Sequence, residues 1–349
     1  MSDMSRNMEG REAKEILDSI LADYELDRTI DKMEDFYDQP NKEVIIDIIE
    51  KLMKIIYPGY YRDRAYKSYH ANHHLSTLIE DVLYRLSRQI AKVSKFCPKL
   101  DGKCREQIEK ESYEITVDFL RQIPKIREYL EGDLQAALEG DPAANSYGEI
   151  ILAYPGLFAI TINRLAHELF IRSVPLIPRI MTEYAHSITG IDIHPGATIG
   201  KGFFIDHGSG VIIGETAIVG DNVTLYQGVT LGGTGKETGK RHPTIGDNVM
   251  ISAGAKIIGS FTVGENSKIG AGSVVLEEVP PNCTVVGVPG RVVKRDNIKI
   301  PRSDMDQCHL PDPVKEDITL LQRENAELVN RVLDLERQLK EVDRKVRQD

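Results

Sequence analysis

Hydrophobic positions recur every six residues over a long stretch of the chain, from Ile191 to about Val293. This period fits neither an α-helix nor an ordinary strand, and it is typical of the hexapeptide repeats of a parallel β-helix. Each repeat supplies one short strand with an inward aliphatic residue and one tight corner. The pattern predicts a left-handed β-helix over 191–295. The aliphatic positions form three series: Ile193, Ile199, Ile205; Ile213, Val219, Leu225, Leu231; and Ile245, Ile251, Ile257, Val263, Ile269, Val275.

One long interruption separates Leu231 from Ile245, with the sequence GGTGKETGKRHP. Its glycines and charges suit an exposed loop that leaves the coil. Repeat proteins often place function on such insertions. We therefore expect this loop to contribute to a site.

The chain before the repeats follows a helical period. In Glu43–Tyr57, apolar residues recur at helical spacing and Pro58-Gly59 ends the run. A second stripe is predicted at Leu75, Leu78, Ile79, Val82, Leu86, Ile90 and Val93. Asp141-Pro142 is predicted to begin a helix, with Asp as the N-cap and Pro in the first turn. We assign 1–140 to an N-terminal helical region and 141–190 to a further helical segment.

The C-terminal region carries a heptad pattern. A proline-marked linker is expected at 296–313, followed by a coiled-coil tail at 314–349. The chain is therefore predicted to be α+β: an N-terminal α-helical domain, a left-handed parallel β-helix and a C-terminal coiled-coil helix. One core position holds Ile318, Asn325, Val332, Leu339 and Val346, and the other holds Leu321, Leu328, Leu335 and Val342.

Composition narrows the class of protein. The 349 residues carry a net charge of −10, and 41% are hydrophobic. These values are ordinary for a soluble protein of two or three domains and argue against a nucleic-acid partner. The polar start has no apolar core of a signal segment, and the run Ile150–Ile162 is too short for a membrane span of about 20 residues. The sequence thus predicts a cytoplasmic protein without membrane contact.

Metal-ligand patterns are weak. Four cysteines are too few for a disulfide scaffold, and Cys97 and Cys104 lack a second pair. The cluster His70, His73 and His74 has no matching carboxylate. A site like that of γ-carbonic anhydrases would need three histidines in the coils, and the coil sequence does not offer that set. We expect no metal.

Candidate chemistry lies where polar residues break the coil pattern. Asp206-His207 precedes the small residues 208–210, and Asp192 lies 15 residues earlier, nearly one coil of about 18 residues. A carboxylate beside an imidazole fixes its tautomer and makes it a general base for an alcohol. The alternative is that His207 is a corner residue and Asp192 caps a turn.

The loop before Ile245 ends in Arg241-His242, where an arginine can hold a carboxylate in a two-point fork. The alternative is a solvated loop charge. Two further histidines fit structural roles. His167 is expected to pack within an amphipathic helix, and His194 is expected to shape the first turn of the coil.

The same residues resemble the bacterial serine acetyltransferases. The resemblance rests on DPAA at 141–144, DIHP at 192–195, the Asp206-His207 pair, GGTGK at 232–236 and RHP at 241–243. It covers 141–295 closely. It implies a direct transfer of acetyl from acetyl-CoA to the L-serine hydroxyl, the first step of cysteine biosynthesis.

The resemblance also implies roles for individual residues. His207 matches the general base, and Asp192 matches its orienting carboxylate. Asp141 and Asp206 match substrate-binding groups, with Asp141 reaching over from the helical domain. The resemblance thus implies that the helical segment 141–190 completes the substrate site. Arg241 and His242 match the pair that secures the substrate carboxylate and lines the reacting centre. The positions that match contacts to CoA are Gly233, Ala253, Lys268 and Ala271.

Assembly and regulation follow from the same resemblance. It implies a homotrimer with CoA grooves between neighbouring β-helices, in many members a dimer of trimers, and feedback inhibition by L-cysteine. Family members that bind the next enzyme of cysteine synthesis end in a flexible tail with a terminal Ile. This chain ends in KVRQD after a coiled coil, so that complex is not expected. We expect the tail to form a parallel three-stranded coiled coil. The rival is pairing between tails of different trimers.

Two other functions compete with this interpretation. A hexapeptide acetyltransferase for a sugar or another amino acid would not need Asp141 and Arg241 to bind serine. A β-helix scaffold that holds partners through the coiled coil would not need Asp192, His207 and His242 together.

Overall fold

The structure is a computed structural model, and it describes residues 3–26, 40–61, 71–93, 103–235, 238–294 and 313–346. The chain divides into two compact units, 1–41 and 42–349. The described part of the first unit contains helix α1 (Asp3–Tyr24). Its apolar side chains, among them Ile16, Leu17 and Ile20, are exposed.

In its described residues, the second unit begins with seven helices, which share one apolar core with the repeats that follow. The first predicted stripe is confirmed, since its aliphatic residues are buried in α2. The second is confirmed in part: Leu78, Val82 and Leu86 are buried in α3, whereas Leu75 and Ile79 are more than a third exposed. The helices are α2 (Lys42–Ile56), α3 (Ala71–Lys92), α4 (Arg105–Leu120), α5 (Ile123–Gly140), α6 (Tyr147–Ala153), α7 (Pro155–Ile171) and α8 (Ile177–Thr189).

The helix start predicted at Asp141-Pro142 is wrong. Asp141 is instead the C-cap of α5, and its amide donates to Ala137 O at the end of that helix. Its Oδ1 accepts from the amide of Ala143 at 2.8 Å, which forms a turn. The next helix, α6, begins after Ser146, whose side chain accepts from Glu149 N as the N-cap. The turn uses Oδ1 of Asp141, so Oδ2 can take a different partner.

The repeats fold into a triangular β-helix with three parallel sheets, so the predicted fold class is confirmed. Sheet A has the order β1-β4-β7-β10-β13, sheet B has β11-β8-β5-β2, and sheet C has β15-β14-β12-β9-β6-β3, in which only β15 is antiparallel. From β1 to β13 the strands visit A, B and C in turn, so each coil adds one layer. We call the turn from sheet A to sheet B the A–B corner, and the turn from sheet C to sheet A the C–A corner.

The strands are short, and each presents its predicted aliphatic residue to the interior. All thirteen predicted positions are at most 8% exposed. Bounds are β1 (Asp192–Ile193), β2 (Thr198–Ile199), β3 (Phe204–Ile205), β4 (Ile212–Ile213), β5 (Ile218–Val219), β6 (Thr224–Leu225), β7 (Thr230–Gly232), β8 (Thr244–Ile245), β9 (Met250–Ile251), β10 (Lys256–Ile258), β11 (Thr262–Val263), β12 (Lys268–Ile269), β13 (Val274–Val275), β14 (Thr284–Val286) and the antiparallel β15 (Arg291–Lys294).

A buried ion pair joins the helices to the first coil. Arg164 of α7 and Asp133 of α5 are 7% and 1% exposed, and the guanidinium donates to both carboxylate oxygens at 2.8 and 2.9 Å. Arg164 also donates to the backbone oxygens of Ile199 and Gly200, and Asp133 accepts from the amide of Phe203. Every polar atom of the pair thus has a partner that fixes the helices against the coil.

The predicted tail is a single helix, α9 (Pro313–Val346). Its described core positions are about half exposed or more, from 49% for Ile318 to 64% for Leu328. The expected linker lies outside the described residues, apart from Pro313. No single helix in the described ranges is long and apolar enough to cross a membrane. Helices α6 and α7 together are long and apolar enough, but the break between them bends the pair by 73°.

Candidate active site

His207 stands on the first C–A corner, directly after β3. Its backbone is left-handed, with φ 57°, and its side chain is 72% exposed. Gly208 continues the turn with φ 83°, and a Cβ there would lie 2.5 Å from Cδ1 of Ile191. The glycine therefore lets the corner close against the residue before Asp192, while the imidazole remains accessible.

One carboxylate lies directly beside this imidazole. Asp206 Oδ1 is 3.8 Å from Nδ1 of His207, and Asp206 is 17% exposed. Burial raises the pKa of Asp206; the His207 charge opposes this effect and the Asp141 charge adds to it. Asp141, at the end of α5, therefore lies near enough to Asp206 for the two charges to interact, and its role in substrate binding stays a prediction.

Tyr154 completes this acidic group, and the sequence did not single it out. Its hydroxyl donates to Asp141 Oδ2 at 2.6 Å. Burial, followed by the hydrogen bond to Asp141, raises the pKa of Tyr154, so it stays a neutral donor. Tyr154 is the N-cap of α7 and precedes Pro155. A tyrosine before a helix carries no chemical signal in sequence alone; only the fold places it against Asp141.

Asp192 lies at the same corner but has other neighbours. Its amide donates to Val211 O at 2.9 Å, which aligns it with the coil that follows His207. Its carboxylate faces Glu183 and His186 of α8, and the ligand atoms of the three lie within 4.8 Å of one another. Within the described residues, no hydrogen bond or ion pair joins Asp192 to His207. Its orienting role therefore stays a prediction.

Arg241 and His242 form a second group, at an A–B corner. Arg241 Nη2 pairs with Glu215 Oε2 at 2.5 Å. His242 is 8% exposed, and burial, followed by the Arg241 charge, lowers its pKa. The group keeps a buried neutral imidazole next to a guanidinium.

Thr216 holds the base of this loop, and the sequence did not identify it. Its Oγ1 accepts from the amides of Arg241 and His242 at 3.0 and 3.1 Å. Its carbonyl accepts from Lys240 Nζ at 2.7 Å. These hydrogen bonds fix the end of the loop to the coil at Thr216.

The two structural histidines behave as expected. Nδ1 of His194 accepts from Gly196 N at 3.0 Å and so shapes the first turn. His167 Nδ1 lies 2.8 Å from Pro195 O and ties α7 to that turn. Among the metal candidates, His73 and Cys104 are exposed, while His70 and Cys97 lie outside the described residues.

The predicted CoA residues divide between the same two corners. Ala253 and Ala271 stack on successive C–A corners, since Gly272 N donates to Ala253 O at 2.9 Å. Lys268 begins β12, three residues before Ala271. Gly233 lies instead at the A–B corner, where a Cβ would meet Arg241 O at 2.9 Å.

Within one chain, sheet A lies between the His207 corner and the Arg241–His242 corner. His207 precedes its strand β4, and Gly214 follows the same strand and contacts His242. The two edges therefore carry different groups: an exposed imidazole with a carboxylate on one edge, and an arginine with a buried histidine on the other. A hexapeptide β-helix with an exposed histidine at one of its corners fits the class of hexapeptide acyltransferases.

Comparison with known proteins gives the same class and narrows it. The model of the bacterial transferase hexapeptide (six repeats) matches residues 242–277. The serine acetyltransferase of Bacillus subtilis (strain 168) is 55% identical over 199 residues, which are 57% of this chain and 91% of that protein. The serine acetyltransferase of Staphylococcus aureus (strain Mu50 / ATCC 700699) is 52% identical over 195 residues, 56% and 91% of the two chains.

Solved structures of serine acetyltransferases are also similar to this chain. Entamoeba histolytica serine acetyltransferase 1 in complex with L-cysteine is 37% identical, with a TM-score of 0.59 over 68% of this chain and 86% of that one. The serine acetyltransferase from Vibrio cholerae O1 biovar El Tor N16961 is 35% identical, with a TM-score of 0.53 over 76% and 98%. This chain belongs to the serine acetyltransferase family, as its motifs indicated.

Proposed function

We propose that this protein transfers the acetyl group of acetyl-CoA directly to the hydroxyl of L-serine, giving O-acetyl-L-serine and CoA. The observation that carries the proposal is the first C–A corner, where the exposed imidazole of His207 lies 3.8 Å from the Asp206 carboxylate and the Asp141 charge acts on that same carboxylate. The imidazole suits an alcohol substrate, and the carboxylates suit an ammonium group on the same molecule. Family membership supports serine as that molecule.

The reaction needs one base and no acyl-enzyme. His207 accepts the proton of the serine hydroxyl while its oxygen attacks the thioester carbonyl carbon. The new C–O bond forms, the C–S bond then breaks, and the proton passes from His207 to the sulfur of CoA. Asp192 orients the imidazole in this scheme. Asp141 and Asp206 bind the ammonium group.

The second group supplies the remaining contacts. Arg241 binds the serine carboxylate, and His242 lines the reacting centre. CoA lies against Gly233, Ala253, Lys268 and Ala271. The His207 corner and the Arg241–His242 corner lie on opposite edges of sheet A. One chain therefore cannot bring both to the same substrate, and each complete site forms between two neighbouring chains. A homotrimer meets this need.

The proposed function includes feedback inhibition, a step in a pathway and a cellular location. L-Cysteine carries the same ammonium and carboxylate as serine, so it can occupy the same site as a feedback inhibitor. One similar structure is a complex with L-cysteine. The reaction is then the first step of cysteine biosynthesis, in the cytoplasm.

The decisive experiment measures release of free CoA from acetyl-CoA by the purified full chain. L-Serine, other amino acids and sugars are offered as separate acceptors. We expect rapid release with L-serine alone, and competition by L-cysteine. Arg241→Ala and Asp141→Ala should each weaken the dependence on serine. Acetylation of a sugar together with unchanged serine dependence in both variants would favour the other hexapeptide acetyltransferases.

A further inference from the structure

The hydrogen bonds around Thr216 determine which nitrogen of His242 carries the proton. A threonine hydroxyl has one proton and two lone pairs. Both lone pairs of Oγ1 accept from backbone amides, those of Arg241 and His242, which can only donate. Oγ1 also lies 2.9 Å from Nδ1 of His242, so its proton must go to that nitrogen.

A second donor points to the same nitrogen. The amide of Thr216 donates to Nδ1 of His242 at 3.1 Å. Nδ1 is therefore an acceptor and carries no proton. Since burial and the Arg241 charge lower the pKa of His242, the ring is neutral at ordinary pH, and its single proton sits on Nε2.

Gly214 fixes where that Nε2–H lies. A Cβ at position 214 would stand 2.0 Å from Cδ2 and 2.1 Å from Nε2 of His242. The ring edge that carries Nε2 thus lies directly over the backbone of Gly214, a place that only glycine leaves open. In the described part of the chain, Nε2 has no hydrogen-bond partner, and it is not among the fully buried unpaired atoms.

We propose that Thr216 is a positioning residue that holds His242 in the Nε2–H tautomer, so that His242 serves as a hydrogen-bond donor and not as a base. This inference rests on the proposed function. The donor is aimed at a negatively charged oxygen of the bound reactants. Two oxygens have that chemistry: the serine carboxylate, and the thioester carbonyl oxygen as it gains charge during attack.

The first test reads the tautomer without activity. Nitrogen NMR of the full chain, labelled at histidine, distinguishes protonated from unprotonated ring nitrogens. His242→Gln identifies the resonances of His242 by their disappearance. We expect an unprotonated Nδ1 and a protonated Nε2. A protonated Nδ1 would overturn the proposal, whether or not the chain acetylates serine, and an inactive chain with the expected tautomer would overturn only the proposed function.

The second test is kinetic. Loss of a transition-state donor costs about 100- to 1000-fold, so loosening its support through Thr216→Val should lower kcat/KM for serine by about 10- to 100-fold. Thr216→Ser keeps the hydroxyl and should restore most of the loss. Thr262→Val, at an exposed position of sheet B, is the matched control. Wild-type kinetics in Thr216→Val would contradict the proposal.

The third test separates the two nitrogens of the ring. A glutamine amide reaches the position of Nε2, whereas an asparagine amide reaches only that of Nδ1. His242→Gln should therefore retain more activity than His242→Asn, and the reverse order would overturn the assignment. A rise in KM for serine in His242→Asn would identify the carboxylate as the acceptor, and a fall in kcat would identify the thioester oxygen.

Discussion

Asp206 lies between groups that act on its pKa in opposite directions. Burial and the Asp141 charge raise the pKa, while the His207 charge lowers it, and the net result is a rise from the ordinary value of 3.8. The Asp141 and Asp206 charges thus repel each other in the free protein. An ammonium group bound between them would relieve that repulsion.

Asp206→Asn should therefore stabilise the free protein at neutral pH. A carboxyl group whose folded pKa is raised contributes stability below its unfolded pKa, and that contribution is lost as pH rises through the folded pKa. Thermal melts should show a higher Tm for the variant at pH 7, with the gain shrinking on acidification and absent below about pH 3.8. Asp206→Glu, which keeps the charge, is the control. A pH-independent gain would contradict the assigned cause.

His207→Ala should lower turnover by about 100- to 10,000-fold, the usual contribution of a positioned acid–base group. CoA binding should survive, because the predicted CoA residues lie on later coils. CoA release and equilibrium binding of CoA are the two measurements. His73→Ala, an exposed histidine of α3, is the control. Near-normal turnover in His207→Ala would exclude it as the base.

Single residues show where sequence reasoning ends. Asp206, His207 and Arg241 could be found because each breaks a regular pattern. Tyr154 and Thr216 follow the local pattern, and their importance comes from partners 13 and 25 residues away along the chain. Only the fold brings those partners into contact.

At the scale of elements, every aliphatic position of the six-residue period lies in a strand and is buried. The period predicts strands well because the coil requires an inward aliphatic side chain in each repeat. Helix ends were less predictable. Asp141-Pro142 has the composition of a helix start, yet the turn after α5 uses it and Ser146 caps the next helix. Leu75 and Ile79 follow the stripe of α3 but lie at its exposed margin, since periodicity alone does not give the width of the buried face.

The joint between helices and coil depends on Asp133 and Arg164. Asp133→Ala leaves a buried guanidinium unpaired and should lower the free energy of unfolding by about 3–5 kcal/mol. Replacing both residues by apolar ones, Asp133→Leu with Arg164→Met, should cost less than the single change. Denaturant titrations measure both. Glu128→Ala removes an exposed ion pair with Lys201 and should have little effect. A larger loss in the double variant would show that the charges themselves stabilise the joint.

At the scale of the whole molecule, α9 carries leucines that one chain leaves exposed. We expect three such tails to pair as a parallel coiled coil on one trimer, because tethering at a three-fold axis raises their effective concentration. Asn325 occupies a core position, where asparagine often favours dimers. The core residues alone therefore do not decide between two and three strands. The side chains of Leu339, Val342 and Val346 lie outside the described residues.

Deleting residues 315–349 tests the role of the tail. The shortened protein should remain a trimer with full activity, since the proposed site lies entirely on the coil and helices. Light scattering and CoA release are the measurements. Collapse of a larger assembly into trimers would show instead that tails of different trimers pair.

The position of sheet A between the His207 corner and the Arg241–His242 corner has a genetic consequence. In the proposed trimer, a chain that lacks His207 can still offer an intact Arg241 edge, and a chain that lacks Arg241 can offer an intact His207 edge. Two inactive alleles should therefore complement each other when their products are assembled together. Chains refolded separately and then combined as finished trimers should stay inactive, because each site would still hold one defective edge.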